Sequence, residues 1–205
     1  MRTFVYFSSK ARTTGNWDDL MQAGRMDIVC NFLIHSFFIS NAMREDVDLH
    51  LVFYGSPDPP KHIEINVKSS KGIPETGSSV GSIDISKKDI AGLIKKILYK
   101  YKPGKNNEVF KGIFIEKKSF FDVLDDLQEQ GKKIFVLDAK GKDIRTMDDK
   151  ELENAVFVFG DHEGIPEKEL KRLKKDSELI SLGKKTYFAS QSAVIVHNEI
   201  DRRDI

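Results

Sequence analysis

A single cysteine, Cys30, in 205 residues excludes an intrachain disulfide, and one thiol alone builds no zinc site. Its neighbours are apolar at helical spacing, which marks it as a small buried hydrophobe. No run of about eighteen apolar residues occurs, so no membrane span is expected. Residues 1–7 lead straight into a strand-like run without the long apolar segment of a signal peptide, and the expected location is the cytoplasm. Net charge is only +1, which neither demands nor excludes nucleic acid; where the charges sit matters more than their sum. Several motifs are missing as well. No G-x-G-x-x-G follows the first strand-like run and no G-x-x-x-x-G-K-[ST] occurs, which removes the usual dinucleotide and P-loop sites. The absence of a G-x-S-x-G elbow leaves hydrolase chemistry with little support.

What is present is a globular composition, 40% hydrophobic and 32% charged, in a chain long enough to bury a core. Strand-like runs fall at 3–7, 49–54, 63–67, 112–115, 133–137, 155–159 and 178–182. Helical patterns lie between many of them. Residues 26–43 are apolar almost all round, which predicts burial on more than one side. Residues 89–100 and 119–130 are amphipathic, with Ser119 placed to cap the second and Gly131 to end it. Pro166 opens a short charged helix to Lys174, and a last helix from Ala189 puts Ala189, Ala193, Val196 and Ile200 on one stripe. This alternation predicts a single α/β domain over 1–205, with a mostly parallel, doubly wound sheet and helices on both faces. Residues 55–81 carry Pro57, Pro59, Pro60, Gly72, Pro74 and Gly77 and read as an irregular insertion around a short strand.

Two glycine-punctuated segments carry the chemistry. One is Val156-Phe157-Val158-Phe159-Gly160-Asp161-His162-Glu163-Gly164-Ile165-Pro166; the other is Leu179-Ile180-Ser181-Leu182-Gly183, continuing through Lys184-Lys185-Thr186-Tyr187-Phe188. Each is a β-rich run stopping at glycine, where backbone can approach a ligand closely. On neighbouring strands, two such loops would hold a flat, adenosine-sized molecule beyond the carboxyl ends of the sheet. Asp161, His162 and Glu163 have the atoms for acid–base or metal chemistry. Three consecutive residues do not readily aim at one ion, however, and no metal is expected. Glu163 and Glu167 fit better as complements to the positive end of the helix after Pro166. Asp27 can do the same for the helix opening Gly24-Arg25-Met26-Asp27-Ile28. The alternative is that Arg25 binds a phosphate and Asp27 contacts a reacting base. Lys184 and Lys185 stand beside the second loop, a suitable place for phosphate contacts.

Taken together, Gly160-Asp161-His162-Glu163-Gly164-Ile165-Pro166, Ser181-Leu182-Gly183 and the helix ending Val196-His197-Asn198-Glu199-Ile200-Asp201-Arg202 resemble the SPOUT methyltransferases. Within them the chain is similar over its whole length to the archaeal tRNA pseudouridine N1-methyltransferase family. Gly24-Arg25-Met26-Asp27-Ile28 also resembles an Arg-Pro-Asp motif of the ribosomal pseudouridine N1-methyltransferases. The resemblance implies a C-terminal trefoil knot, S-adenosyl-L-methionine as cofactor, and a homodimer. It implies cofactor contacts at Leu137, Gly160, Leu182, Gly183, Lys184, Lys185, Thr186, Tyr187, Phe188, Ala189 and Ser192, RNA contacts from Arg25, Lys184 and Lys185, and Asp27 as the catalytic group. The implied reaction is N1-methylation of pseudouridine in the tRNA T-loop, at position 54. A cysteine that some members carry near Ser190-Gln191-Ser192 is absent here, so a thiol is not part of the expected chemistry. Two other readings share these features: a SPOUT enzyme acting on another RNA base or a ribose 2′-hydroxyl, and a non-catalytic RNA- or adenosine-binding protein.

Overall fold

A computed structural model describes residues 1–40, 42–66, 68 and 86–205. Eight strands form one sheet in the order β10-β8-β9-β1-β4-β5-β7-β6. They are β1 (Arg2–Ser8), β4 (Val47–Phe53), β5 (Lys61–Asn66), β6 (Asn107–Phe110), β7 (Ile113–Glu116), β8 (Lys133–Asp143), β9 (Ala155–Gly160) and β10 (Glu178–Ser181). Five of them, β10 to β4, pair in parallel. Beyond β4 the sheet turns antiparallel through β5, β7 and β6. Every strand expected from the apolar runs is present; β6, whose Asn107-Glu108-Val109-Phe110 offers little alternation, was not expected. Of the insertion at 55–81, residues 55–66 and 68 are described, including β5; the rest lies outside the described residues.

Alternation along β1 separates two cores. Phe4 and Tyr6 join the layer under α1 (Met26–Phe37), α2 (Lys87–Tyr99) and α6 (Ala189–Asp201). Val5 and Phe7 join the layer under α3 (Phe120–Glu129) and α5 (Glu167–Asp176). Helices therefore cover both faces, as the alternation of strand and helix predicts. A short α4 (Asp149–Glu153) adds Leu152 to the first core. Ser86, Ser119 and Asp148 start α2, α3 and α4 as capping boxes, each worth about 1 kcal/mol. Pro166 stands at the N-cap of α5 and Gly131 ends α3 at φ 79°, as expected.

Two expectations need correction. The first long helix stops at Phe37 rather than running to Met43. Phe38 turns extended, and β2 (Phe38–Ile39) pairs antiparallel with β3 (Ala42–Met43) around a turn at Ser40. Aromatic and β-branched residues favour that pairing, and serine competes for helix hydrogen bonds. The apolarity of α1 is absorbed within the chain, because it packs against α2, α6 and the sheet. Second, the strands bearing the two glycine loops are not neighbours. Both edges of β9 are already taken, by β1 and β8, so β10 adds outside β8. The site accordingly has three strand ends, not two.

Candidate functional site

The carboxyl ends of β8, β9 and β10 open into a cleft of about 670 Å³, inside the roughly 300–1,000 Å³ range of small-molecule sites. Val136, Leu137, Val158, Ile165 and Leu182 give it apolar walls, and the loops after all three strands supply backbone polar groups. Every residue expected to contact the cofactor lines it except Lys184: Leu137, Gly160, Leu182, Gly183, Lys185, Thr186, Tyr187, Phe188, Ala189 and Ser192 are all there. Lys184 is exposed and outside the lining. Apolar walls with backbone donors and acceptors suit a purine nucleoside, so the donor set fits an adenosine-containing group.

The two strand-ending glycines are needed for different reasons. A Cβ on Gly160 would lie 2.7 Å from the Gly164 carbonyl carbon, so this glycine serves the closure of its own loop. Gly183 has φ +115° and open space where a Cβ would project. Here the backbone conformation itself selects glycine.

Asp161 bolts the β9 loop to the end of β1. Its Oδ2 accepts from the Ser8 hydroxyl at 2.9 Å, the Ser9 N–H at 3.0 Å and the Ser9 hydroxyl at 3.4 Å. Its Oδ1 accepts from the Glu163 N–H at 2.9 Å, and the side chain is 2% exposed. Nothing local announces this role: Ser8 and Asp161 are 153 residues apart. Glu163 faces Lys10 at 3.5 Å. Among the described residues no group of three or more His, Cys, Asp or Glu is placed to hold a metal ion.

Arg25 and Asp27 reach the same end of the sheet, since the segment after β1 leads into α1. Ile28, next to Asp27, lines the cleft. Asp27 is half-buried beside it, clasped by Arg25 through Nε–Oδ1 at 2.9 Å and Nη2–Oδ2 at 3.0 Å. Arg25 caps α1 in the left-handed conformation, φ 63° and ψ 42°, a strain of about 1–3 kcal/mol for a non-glycine residue. Gly24 before it has φ +71°, and a Cβ there would lie 1.7 Å from the Lys10 carbonyl oxygen. These two residues fold the Arg25 side chain over Asp27. The Arg25 hydrogen bonds hold the Asp27 carboxyl below the usual range, burial opposes them, and the Lys87 charge on α2 adds to the lowering. Asp27 is therefore ionised at neutral pH.

A family model described as "Putative SAM-dependent RNA methyltransferase" matches residues 1–205, and the chain belongs to that family. Its relatives are more specifically named. The tRNA (pseudouridine(54)-N(1))-methyltransferase of Methanococcoides burtonii is 34% identical over 98% of this chain and 96% of its own. The enzymes of that name from Methanococcus maripaludis (33%, over 98% and 99%) and Methanocaldococcus jannaschii (31%, over 100% and 98%) align as completely. In three dimensions the chain resembles Archaeoglobus fulgidus Nep1 bound to S-adenosylhomocysteine. The TM-score is 0.59 at 17% identity, covering 89% of this chain and 73% of the other. At that identity the likeness speaks to the fold alone.

Proposed function

We propose that this protein transfers the methyl group of S-adenosyl-L-methionine to N1 of pseudouridine 54 in the T-loop of tRNA. The observation that carries the reading is one end of one sheet: a nucleoside-sized cleft with an ionised carboxylate and an arginine at its rim, in a chain aligned end to end with enzymes of that name. When bound, the cofactor supplies a methyl group already activated on a sulfonium. The protein's own task is then mostly orientation, which can lower a barrier by roughly 7–11 kcal/mol.

In this reading the loops 160–164 and 182–188 hold the adenosine, with Leu137, Ala189 and Ser192 closing the cleft. With the cofactor held there, the pseudouridine N1 would take the methyl carbon, and the carbon–sulfur electron pair would stay with the departing thioether. The N1 proton passes to a carboxylate oxygen of Asp27. Uridine cannot take this route, because its corresponding nitrogen carries the glycosidic bond. Arg25, Lys184 and Lys185 would neutralise RNA phosphates around the target, offsetting the few kcal/mol needed to expose a base.

Two structural parts of the reading go with it. The trefoil knot is supported by the route of the chain, which leaves β9, passes β8, forms β10 and returns through α6 onto α1. A homodimer is supported by apolar side chains left open beside the cleft: Phe188 is 66% exposed, Val194 45% and Tyr187 41%. Among the described residues no helix is long and apolar enough to cross a membrane.

The test uses two T-loop stem-loops that differ only by uridine or pseudouridine at the target, incubated with labelled cofactor and digested to nucleosides. N1-methylpseudouridine from the second RNA alone is expected. Label on both RNAs, or on a ribose, would sink the proposal.

A further inference from the structure

Tyr6 lies in β1 with its ring fully buried against Phe32, centroids 4.7 Å apart, beneath α1. Its hydroxyl is buried without a hydrogen-bond partner, an unfavourable state for a donor that could reach water when unfolded. The groups whose charges act on it are Asp161, Asp27 and Arg25. Burial first, then the two carboxylates, push the phenol far above its ordinary range, so it remains an O–H donor at any working pH.

The two carboxylates are not equally available to it. Asp161 already takes four donors and is locked between β1 and its own loop. Asp27 is held by the Arg25 side chain and its own backbone N–H, with Lys87 contributing only through its charge. If Arg25 turns to an RNA phosphate, Asp27 loses both side-chain hydrogen bonds at the moment it is needed. A phosphate is a strong competitor for that fork, because guanidinium pairs bidentately with either anion.

Resting on the reading of Asp27 as proton acceptor, we propose that Tyr6 is a positioning residue for the methyl transfer. When an RNA phosphate draws Arg25 away, the Tyr6 hydroxyl donates to one Asp27 oxygen and holds the other toward the pseudouridine N1–H. The hydroxyl is unpaired at rest because its partner exists only in the RNA complex. This exchange of partners keeps Asp27 oriented while Arg25 serves the backbone.

The test is Tyr6→Phe, which deletes the hydroxyl and keeps the ring. Removing an unpaired buried donor should leave the melting temperature unchanged or higher. The kcat for the pseudouridine stem-loop should nevertheless fall roughly 10- to 100-fold, the value of a hydrogen bond to a charged group, with KM for RNA and cofactor unchanged. The acid limb of the kcat–pH profile should move to higher pH, because Asp27 has lost a donor that favours its ionised form. A lower melting temperature with raised KM and an unmoved limb would make Tyr6 merely structural and overturn the proposal. A second readout needs no turnover: the Asp27 carboxyl titration, followed by carbon NMR with the uridine stem-loop bound. It should lie higher in Tyr6→Phe than in wild type, and equal titrations would overturn the proposal even if no RNA were methylated. Failure of wild type to methylate pseudouridine would instead count against the functional reading.

Discussion

The parallel and antiparallel halves of the sheet treat their ionisable side chains in opposite ways. From β4 outward they lie buried in the face of the sheet and pair with one another, although Asp48 Oδ1 and His50 Nε2 are left without a hydrogen-bond partner among the described residues. His50 Nδ1 and His62 Nε2 lie 2.9 Å apart, and His62 Nδ1 lies 3.1 Å from Glu116. Asp48 and Lys118 extend the chain at either end. Burial pushes His62 down to about 4 despite Glu116. Held neutral, His62 has one ring proton for its two partners, Glu116 at Nδ1 and His50 at Nε2. In the parallel half Arg2 of β1 is likewise buried and paired, with Asp46, Asp201 and His197, but the ionisable groups of the cleft gather beyond the strand ends. There the contrast repeats on a small scale: Asp161 takes four donors, whereas among the described residues the side-chain hydrogen bonds of Asp27 come from Arg25 alone, the arginine we propose for an RNA phosphate. In the proposed reading Asp161, with its four donors, holds the fold, and Asp27, whose partner can leave, does the chemistry.

Breaking the saturated side should cost the most stability. Asp161→Ala leaves Ser8, the Ser9 amide and the Glu163 amide without their acceptor, an expected loss of roughly 3 kcal/mol or more. Urea unfolding would measure it, and cofactor binding should fall with it; an unchanged midpoint would remove Asp161 from the frame. Acid probes the buried histidines next. Burial lowers His197 to about 3, helped by Arg44 and Arg2, and His62 to about 4. Both are depressed in the folded state, so their contribution is present above the unfolded value near 6.5 and is lost as pH falls toward 4 and 3. Between pH 7 and 5 the loss should be roughly 2 kcal/mol per histidine. A flat urea midpoint over that range would contradict the neutral buried state of both.

The smallest effect sharpens the same contrast from the RNA side. Lys184→Ala or Lys185→Ala should reduce the slope of log affinity against log salt by about 0.7 each. Lys118→Ala, in the antiparallel half beside Glu116 and Asp126, should leave that slope alone. Equal slopes for all three variants would mean that the cleft rim does not bind phosphate.

Much of this contrast is written locally in the chain, and part of it is not. Gly160, Gly164, Pro166 and Gly183 mark loop closures by backbone demand, so the two loops were legible from the residues, whereas the individual cleft contacts came from the family resemblance. Every strand of the main sheet except β6 stood out as an apolar run. The interposition of β8 between β9 and β10 did not, because strand order depends on which edges remain free. The Ser8–Asp161 bolt and the unpaired Tyr6 hydroxyl were equally hidden. Each is a meeting of residues far apart in sequence, and no local pattern of spacing encodes it. Arg25 and Asp27 were visible as a helix opening, yet their clasp depends on two left-handed residues, of which only Gly24 advertises itself.

The most direct trial of the contrast is Asp27→Asn, read by melting temperature and by single-turnover methyl transfer to the pseudouridine stem-loop. The account predicts a rate lower by roughly 10²- to 10⁴-fold, the usual worth of a positioned general base, with the fold as stable as before. A variant that methylates at the wild-type rate, or one that simply unfolds, would place Asp27 among the structural carboxylates and contradict the account.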